Sequence, residues 1–174
     1  METTKHAYLI ICQHSDDNLK SLIKSIDDNR NDIYIIVDKK TKNFDFEKIK
    51  NTPVFSKVFF VNRIKITWGG FSLVKAELLL LNESTKQRYD YYHIMSGVDL
   101  CIKSQDYIHS FFSKNKGKNF ITFCGKDWTD ASLSRIKYYH LNCGRNTFLR
   151  KISSWLIKAQ KLLKTNRLKK NDLV

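Results

Sequence analysis

Three short polar clusters stand where predicted strands end, and their residue types suit the binding of a nucleotide or a sugar. Asp38 follows the apolar run YIIV, Trp68-Gly69-Gly70 precedes an apolar helix, and Ser96-Gly97-Val98-Asp99 follows YYHIM. A carboxylate accepts hydrogen bonds from ribose or a base, an indole stacks on a ring, and glycines allow close backbone approach. Because the carboxyl ends of parallel strands meet at one edge of the sheet, we expect the clusters to line a single crevice.

Each cluster also has a structural reading that the sequence leaves open. Trp68 and its glycines could form a hydrophobic staple with a turn, Asp38 could cap a turn, and Asp99 could close an Asx-turn. Gly97 is predicted to permit an unusual turn after its strand. His14, just past the first strand, is either a further crevice residue or a satisfied surface or core histidine.

Metal and phosphate motifs are absent from the sequence. It contains neither GxGxxG nor GxxxxGK[ST], and it lacks the Asp-x-Asp pair with which many nucleotide-sugar transferases hold a divalent metal. The charge of a diphosphate would then be offset by Lys and Arg. Arg135 and Lys137, in the segment RIKYYH, are candidates for a phosphate or a sugar acceptor, or belong to a solvated helix face.

The four cysteines favour neither a zinc site nor a disulfide framework. They show no CxxC spacing and no paired histidine spacing, and they are Cys12, Cys101, Cys124 and Cys143. Free thiols in a reducing cytoplasm are the expected state. The apolar run from Ala7 to Cys12 is too short for a signal peptide core or a membrane span, so we expect a cytoplasmic protein.

The elements that must position the clusters alternate between strand and helix, which predicts an α/β fold with a mostly parallel sheet. Predicted strands cover Ala7–Cys12, Ile33–Val37, Val58–Val61, Tyr89–Met95 and Phe120–Phe123. Predicted helices begin after Ser15 or Asp16, within residues 39–53, at Phe71, and after Ser104. In the helix that begins at Phe71, the residues expected to face the core are Phe71, Val74, Leu78 and Leu81, with Ala76 and Leu79.

The positive charge is concentrated at the C-terminal end. Residues 135–174 contain eleven Lys or Arg and one acid, and so carry ten of the fourteen net positive charges. We predict an α/β domain over residues 1–134, followed by a basic loop and an amphipathic helix from about Thr147 to Lys164 over residues 135–174. The apolar side of that helix comprises Phe148, Ile152, Trp155, Leu156, Leu162 and Leu163. This pattern suits the inner face of an anionic membrane, or a docking face for another domain.

A basic nucleic-acid-binding module and a membrane-surface module without catalysis are the alternative functions. The net charge of +14 and the aromatic content of 13% motivate the nucleic-acid alternative. Most aromatic residues fall on predicted strands and buried helix faces, however, which leaves few for base stacking. We therefore expect no nucleic-acid partner.

Four blocks of the sequence resemble the core-2/I-branching β-1,6-N-acetylglucosaminyltransferase family, glycosyltransferase family 14, in its bacterial form. They are AYLIICQH, DIYIIVDKK, RIKITWGGFSLVKAELLLL and YDYYHIMSGVDLCIKS, and the similarity runs from Ala7 to about Tyr139. The resemblance implies a GT-A-like (Rossmann-like) fold. It also implies an inverting, metal-independent transfer of a sugar, N-acetylglucosamine, from a UDP-sugar donor to a glycan hydroxyl acceptor in surface polysaccharide synthesis.

By the same resemblance, the donor nucleotide site comprises His14, Asp38, Trp68, Gly69 and Asp99, and the acceptor or phosphate side comprises Arg135 and Lys137. The sequence departs from the family pattern at Gln13, Cys101 and Ser134. Family members continue with a segment that supplies the catalytic carboxylate. We therefore expect the family's catalytic base to be missing from these 174 residues, which would act as a glycosyltransferase or as its donor-binding half.

Overall fold

A four-stranded, all-parallel sheet forms the centre of the first part of the chain. The protein is described here by a computed structural model, which covers residues 4–120, 130–141, 146–165 and 167. The strands lie in the spatial order β3-β2-β1-β4. They are β1 His6–Cys12, β2 Asn31–Val37, β3 Lys57–Val61 and β4 Tyr91–Ser96.

Helices connect the strands and cover both faces of the sheet. They are α1 Asp17–Ser25, α2 Phe46–Lys50, α3 Phe71–Ser84 and α4 Gln105–Lys114. One buried cluster joins the sheet to α1 and α2 and includes Ile10, Ile35 and Leu22, while the other joins it to α3 and includes Leu9 and Ile36. Because β1 and β2 are buried on both faces, their sequences are nearly continuous apolar runs. The predicted parallel α/β class is confirmed.

Most predicted elements lie where the sequence places them. Asp16 is the N-cap of α1, where its Oδ1 accepts a hydrogen bond from Leu19 N at 3.1 Å, and Ser104 caps α4 in the same way. The predicted short helix within residues 39–53 is α2. The predicted fifth strand, Phe120–Phe123, falls almost wholly outside the described residues, as do Cys124 and Cys143. Cys12 and Cys101 are free thiols.

The buried face of α3 differs from the prediction. Phe71, Val74 and Leu78 are 73%, 45% and 55% exposed, whereas Ala76 and Leu80 are fully buried against the sheet. The helix is apolar on nearly every side, so the spacing of its apolar residues does not select one face. The predicted core positions Phe71, Val74 and Leu78 are therefore wrong. They form an exposed apolar row.

Three histidine rings pack together at the amino ends of β1 and β4. His6 stacks on His109 with ring centroids 4.0 Å apart, and its Nδ1 lies 3.1 Å from His93 Nε2. His109 Nε2 lies 2.9 Å from Asn31 Oδ1. Burial, reinforced by the neighbouring histidines, lowers the pKa of His6 to about 3, and burial likewise lowers the pKa of His93 to about 4. The cluster is neutral at pH 7.

The chain divides into two compact units, Met1–Lys118 and Asn119–Val174. The sequence-based boundary between residues 134 and 135 stays a prediction. Within the second unit, α5 covers Asp130–Lys137 and α6 covers Thr147–Leu162. The α5 helix has eight residues and extends past residue 135, into the stretch where the sequence predicted a basic loop. No helix in the described part of the chain is both long and apolar enough to span a membrane.

The α6 helix buries polar side chains and exposes apolar ones. Ser153 and Gln160 are 8% and 7% exposed, and Gln160 exchanges two hydrogen bonds with the backbone of Tyr139. The apolar row on the other side comprises Phe148, Ile152, Trp155 and Leu162, of which Phe148 and Trp155 are 69% and 72% exposed. This amphipathic helix was predicted from the sequence, but its apolar face is turned away from its own unit.

Candidate functional site

A cavity of about 460 Å³ opens at the carboxyl ends of β1 and β4. In the order β3-β2-β1-β4, the chain winds outward from β1 to β3 and then returns to place β4 on the other side of β1. The cavity therefore lies where the strand order reverses. Open α/β sheets bind their ligands at such a switch point, because the connections on either side of it leave in opposite directions and open a crevice.

The cavity wall combines apolar surface with a few polar groups. Its polar members include two carboxylates, and none of the described residues that line it is a lysine or an arginine. The apolar members are Ile11, Cys12, Ile66, Trp68, Leu73, Ile94, Met95 and Val98, and the others are Gln13, His14, Asp16, Glu77, Ser96 and Gly97. A mostly apolar cleft with a few convergent polar groups is typical of a small-molecule site.

Gly97 allows the ends of β1 and β4 to approach closely. A Cβ placed on Gly97 would lie 2.5 Å from Cys12 Cβ, and Gly97 N donates a hydrogen bond to Ile11 O at 2.8 Å. The predicted unusual turn is not the reason for the glycine, since the positive backbone φ angles among the described glycines belong to Gly69 and Gly117. Glycine is needed at this position because Cys12 leaves no room for a side chain.

The Cys12 thiol is a wall group without nucleophilic character. It is buried, and burial raises its pKa to about 12, with a smaller contribution from the charge of Asp16. The thiolate is the nucleophilic form of cysteine, and it is not populated at neutral pH when the pKa is this high. Burial therefore disfavours Cys12 as a covalent nucleophile.

Trp68 stands at the cavity on a tight turn that leads into α3. Gly70 N donates to Thr67 O at 2.9 Å, and Gly69 has φ +72°, a conformation that L side chains rarely adopt. Ser72 Oγ accepts a hydrogen bond from Thr67 N at 2.8 Å and holds the turn against the helix. The Trp68 side chain is 89% exposed although it lines the cavity. An exposed indole beside an apolar cleft offers a stacking face for a ring.

Asp38 is buried behind the loops that form the cavity. Its Oδ1 accepts hydrogen bonds from Lys40 N at 3.0 Å and Ile66 N at 3.2 Å, and its Oδ2 lies 3.3 Å from Lys40 Nζ. The backbone N of Asp38 donates to Cys12 O at 3.0 Å. Asp38 thus ties the end of β1 to the segment that carries Ile66 and Trp68. It does not line the cavity, and its direct contact with a nucleotide stays a prediction.

Asp99 closes the turn that follows β4. Its Oδ2 accepts a hydrogen bond from Ser96 N at 2.8 Å, and Asp99 N donates to Ser96 O at 3.0 Å. This is the turn-closing alternative that the sequence left open, and the side chain does not line the cavity. Of the predicted donor residues, the structure brings His14 and Trp68 to the cavity, with Gly69 in the adjoining turn.

Two acidic wall residues were not anticipated as site residues. Asp16 was recognised only as a helix cap, and Glu77 lies within the apolar sequence LVKAELLLL. The sequence feature that could have indicated Glu77 is its position four residues after Leu73, which places both residues on the same side of α3.

Arg135 and Lys137 lie on α5 in the second unit. Arg135 is exposed, and Lys137 Nζ lies 5.7 Å from the Tyr138 ring centroid. Their role with an acceptor stays a prediction.

The described residues contain no candidate metal site, because no three His, Cys, Asp or Glu side chains among them are grouped so that they could hold an ion. The predicted absence of a metal requirement is a separate matter and stays a prediction.

The parallel sheet and its switch-point cavity define an open α/β architecture, a class of fold that binds its ligands at this edge of the sheet. The family profile described as Core-2/I-Branching enzyme matches residues 6–162, and the chain belongs to this family. The resemblance seen in the sequence blocks is thereby confirmed, together with the α/β GT-A-like fold that it implied. The match also includes α5 and the whole of α6.

Curated relatives match over a shorter stretch. The chain is 27% identical over 113 residues to xylosyltransferase 2 of Rattus norvegicus and 26% identical over the same length to xylosyltransferase 2 of Homo sapiens. Each match covers 63% of this chain and 13% of the relative. The chain therefore spans only a small part of the length of these relatives.

Proposed function

We propose that the switch-point cavity binds the nucleotide of a UDP-sugar, and that the protein takes part in an inverting, metal-independent transfer of the sugar to a glycan hydroxyl. The observation that carries the proposal is the coincidence of the cavity with the switch point in a chain that belongs to the Core-2/I-Branching enzyme family. The exposed Trp68 supports it, because a base or sugar ring can stack on the indole beside an apolar cleft.

N-acetylglucosamine is the proposed donor sugar, and surface polysaccharide synthesis is the proposed setting. Both rest on the resemblance of the sequence blocks to N-acetylglucosaminyltransferases. The xylosyltransferase relatives make UDP-xylose the comparison donor. The two sugars differ in the N-acetyl and hydroxymethyl groups, so a panel of donors separates them directly.

The anionic inner surface of a membrane is the proposed location, with α6 as the contact. The exposed apolar row of α6 is accompanied by Lys151 and Lys158, and the helix sequence contains no acidic residue. Basic amphipathic helices lie in the membrane interface with the apolar side inserted and the cations at the anionic headgroups. Near such a surface each cation contributes about 1 kcal/mol.

Calorimetry and thermal unfolding test the donor proposal. We expect UDP and UDP-N-acetylglucosamine to bind and to raise the melting temperature equally in EDTA and in Mn²⁺, since a ligand that binds only the folded state stabilises it. ADP serves as the control nucleotide. Failure of every uridine nucleotide to bind would reject the proposed site. Binding that disappears in EDTA would reject metal independence, and preferential binding of UDP-xylose would reject the proposed sugar.

A further inference from the structure

The charge of the cavity wall conflicts with the charge of a diphosphate. Its described lining contains the carboxylates of Asp16 and Glu77 and neither a lysine nor an arginine. A nucleoside diphosphate carries its negative charge on the phosphates, whereas its base and ribose are neutral and rich in N–H and O–H donors. Like charges at close range inside a cleft with apolar walls repel strongly. The cavity therefore suits the neutral end of the donor.

The two carboxylates differ in whether they already have a hydrogen-bond partner in the protein. Asp16 caps α1 and accepts a hydrogen bond from Leu19 N. Glu77 is half-buried on α3, and within the part of the chain that the structure describes no hydrogen bond or ion pair engages its carboxylate. On the same helix, Glu83 lies 2.7 Å from Lys86 Nζ. Glu77 is thus an available acceptor in the wall of an apolar cleft.

The size of the cavity agrees with a nucleoside. Ligand pockets range over roughly 300–1,000 Å³, and the volume of about 460 Å³ lies in the lower part of that range. It suits a base with its ribose better than a complete nucleotide-sugar. The phosphates and the sugar would then extend beyond the mouth of the cavity.

We propose that this cavity recognises the uridine moiety rather than the diphosphate, and that Glu77 is a specificity-determining residue that accepts a hydrogen bond from a ribose hydroxyl or a base N–H. The inference rests on the proposed donor function and deepens it. Hydrogen bonds to a charged group are among the stronger ones, so loss of the Glu77 charge weakens uridine binding by about tenfold.

The test is titration calorimetry of uridine and UDP against the full chain, at low and high salt. Uridine binds within about threefold of UDP, and its affinity is insensitive to salt, because a neutral ligand displaces no counterions. In Glu77→Gln, uridine binding falls by about tenfold, while UDP loses less because removal of the carboxylate also relieves repulsion of the diphosphate. The ratio of UDP to uridine affinity therefore rises, which a merely structural role for Glu77 would not produce.

Glu83→Gln is the matched control. It removes a carboxylate of the same helix that is already paired with Lys86, and it leaves both affinities unchanged. Circular dichroism confirms that both variants fold. UDP binding without uridine binding, or equal affinities in Glu77→Gln and the wild type, would overturn the inference while leaving the donor proposal intact. Absence of binding by either ligand would overturn both.

Discussion

Cys12 and Gly97 hold the ends of β1 and β4 so close together that no side chain fits between them. A Cβ on Gly97 would lie 2.5 Å from Cys12 Cβ and 3.3 Å from Cys12 Cα, so both side chain and backbone are in the way. Both residues line the cavity. The shape of the candidate site therefore depends on the absence of a side chain at one position of the turn after β4.

Gly97→Ala should damage stability and binding together. The added methyl group forces the two strand ends apart, and overpacking of this kind costs typically 1–3 kcal/mol. We expect the free energy of unfolding to fall by about 2 kcal/mol in urea titrations, and UDP affinity to fall markedly in calorimetry. Gly117→Ala is the control: Gly117 has φ +80° and open space around it, so the substitution costs about 1 kcal/mol of backbone strain. Unchanged UDP affinity in Gly97→Ala would contradict the close-approach argument.

Two substitutions of Asp38 should distinguish the roles of its two carboxylate oxygens. Both backbone donors, Lys40 N and Ile66 N, use Oδ1, whereas Oδ2 pairs only with the exposed Lys40 ammonium. Asp38→Ala leaves buried donors unsatisfied and should lower the free energy of unfolding by about 2–3 kcal/mol. Asp38→Asn keeps the acceptor and should stay within about 1 kcal/mol of the wild type. A wild-type stability for Asp38→Ala would refute the proposed role in tying the loops together.

The same pair of variants tests the direct role predicted from the sequence. If Asp38 contacts the donor through its charge, Asp38→Asn loses UDP affinity in calorimetry although its stability is kept. If Asp38 acts only by holding the Ile66 segment in place, Asp38→Asn binds UDP as the wild type does. The buried position of the carboxylate favours the second outcome.

Trp68→Ala should affect binding and leave stability nearly unchanged. Substitution of an exposed side chain alters the free energy of unfolding by about 0.5 kcal/mol or less. Stacking of a base on an aromatic side chain contributes roughly 1–3 kcal/mol, so we expect UDP affinity to fall by about tenfold or more. Trp155→Ala, which removes another exposed indole, on α6, is the control and should bind UDP normally. Equal UDP affinities for both variants would remove Trp68 from the site.

Acid should destabilise the protein through the histidine cluster. Folding holds the pKa of His6 at about 3 and that of His93 at about 4, below the unfolded value of 6.5, so the unfolded state binds more protons as the pH falls below 6.5. The stability is therefore complete above pH 6.5 and is lost as the pH falls toward these folded values. At pH 5 the loss is about 2 kcal/mol for His6, whose imidazole is fully buried.

Urea titrations between pH 7.5 and pH 5 measure the slope of the free energy of unfolding against pH. His6→Phe removes one of the buried titrating groups and should reduce the proton difference between unfolded and folded states by about one. His14→Asn alters an exposed histidine outside the cluster and serves as the control. A slope in His6→Phe equal to that of the wild type would show that the cluster does not set the acid response.

We expect the exposed apolar row of α6 and its neighbouring cations to bind anionic vesicles. The full chain should co-sediment with phosphatidylserine-containing vesicles and not with neutral ones, and salt should weaken the binding. Trp155→Glu and Phe148→Glu place charge in the exposed apolar row and should abolish it. Ser154→Glu adds the same charge at an exposed polar position of α6 and should retain most of it. Indifference of the wild-type chain to anionic vesicles would instead favour a docking face for another protein segment.

The sequence predicted the strands and α1 well because their burial is simple. β1 and β2 are covered on both faces, and α1 has one apolar side fixed by its Asp16 cap. It failed for the α3 face, since a helix that is apolar all round has no side that periodicity can select. Asp38 and Asp99 were recognised as strand-end residues, but whether a carboxylate faces a ligand or its own backbone depends on three-dimensional hydrogen bonding. The need for glycine at position 97 could not be predicted because it arises from contact with Cys12, which is distant in sequence.

The most direct test of the account is an amide and indole NMR titration of the full chain with UDP in EDTA. We predict chemical shift changes concentrated at the Trp68 indole and at the backbone of residues 11–14 and 94–98, which surround the cavity. The neutral end of the nucleotide fills the cleft, so uridine should perturb the same signals. Shifts confined to other parts of the chain, or no shifts at saturating UDP, would contradict the assignment of the cavity between β1 and β4 as the donor site.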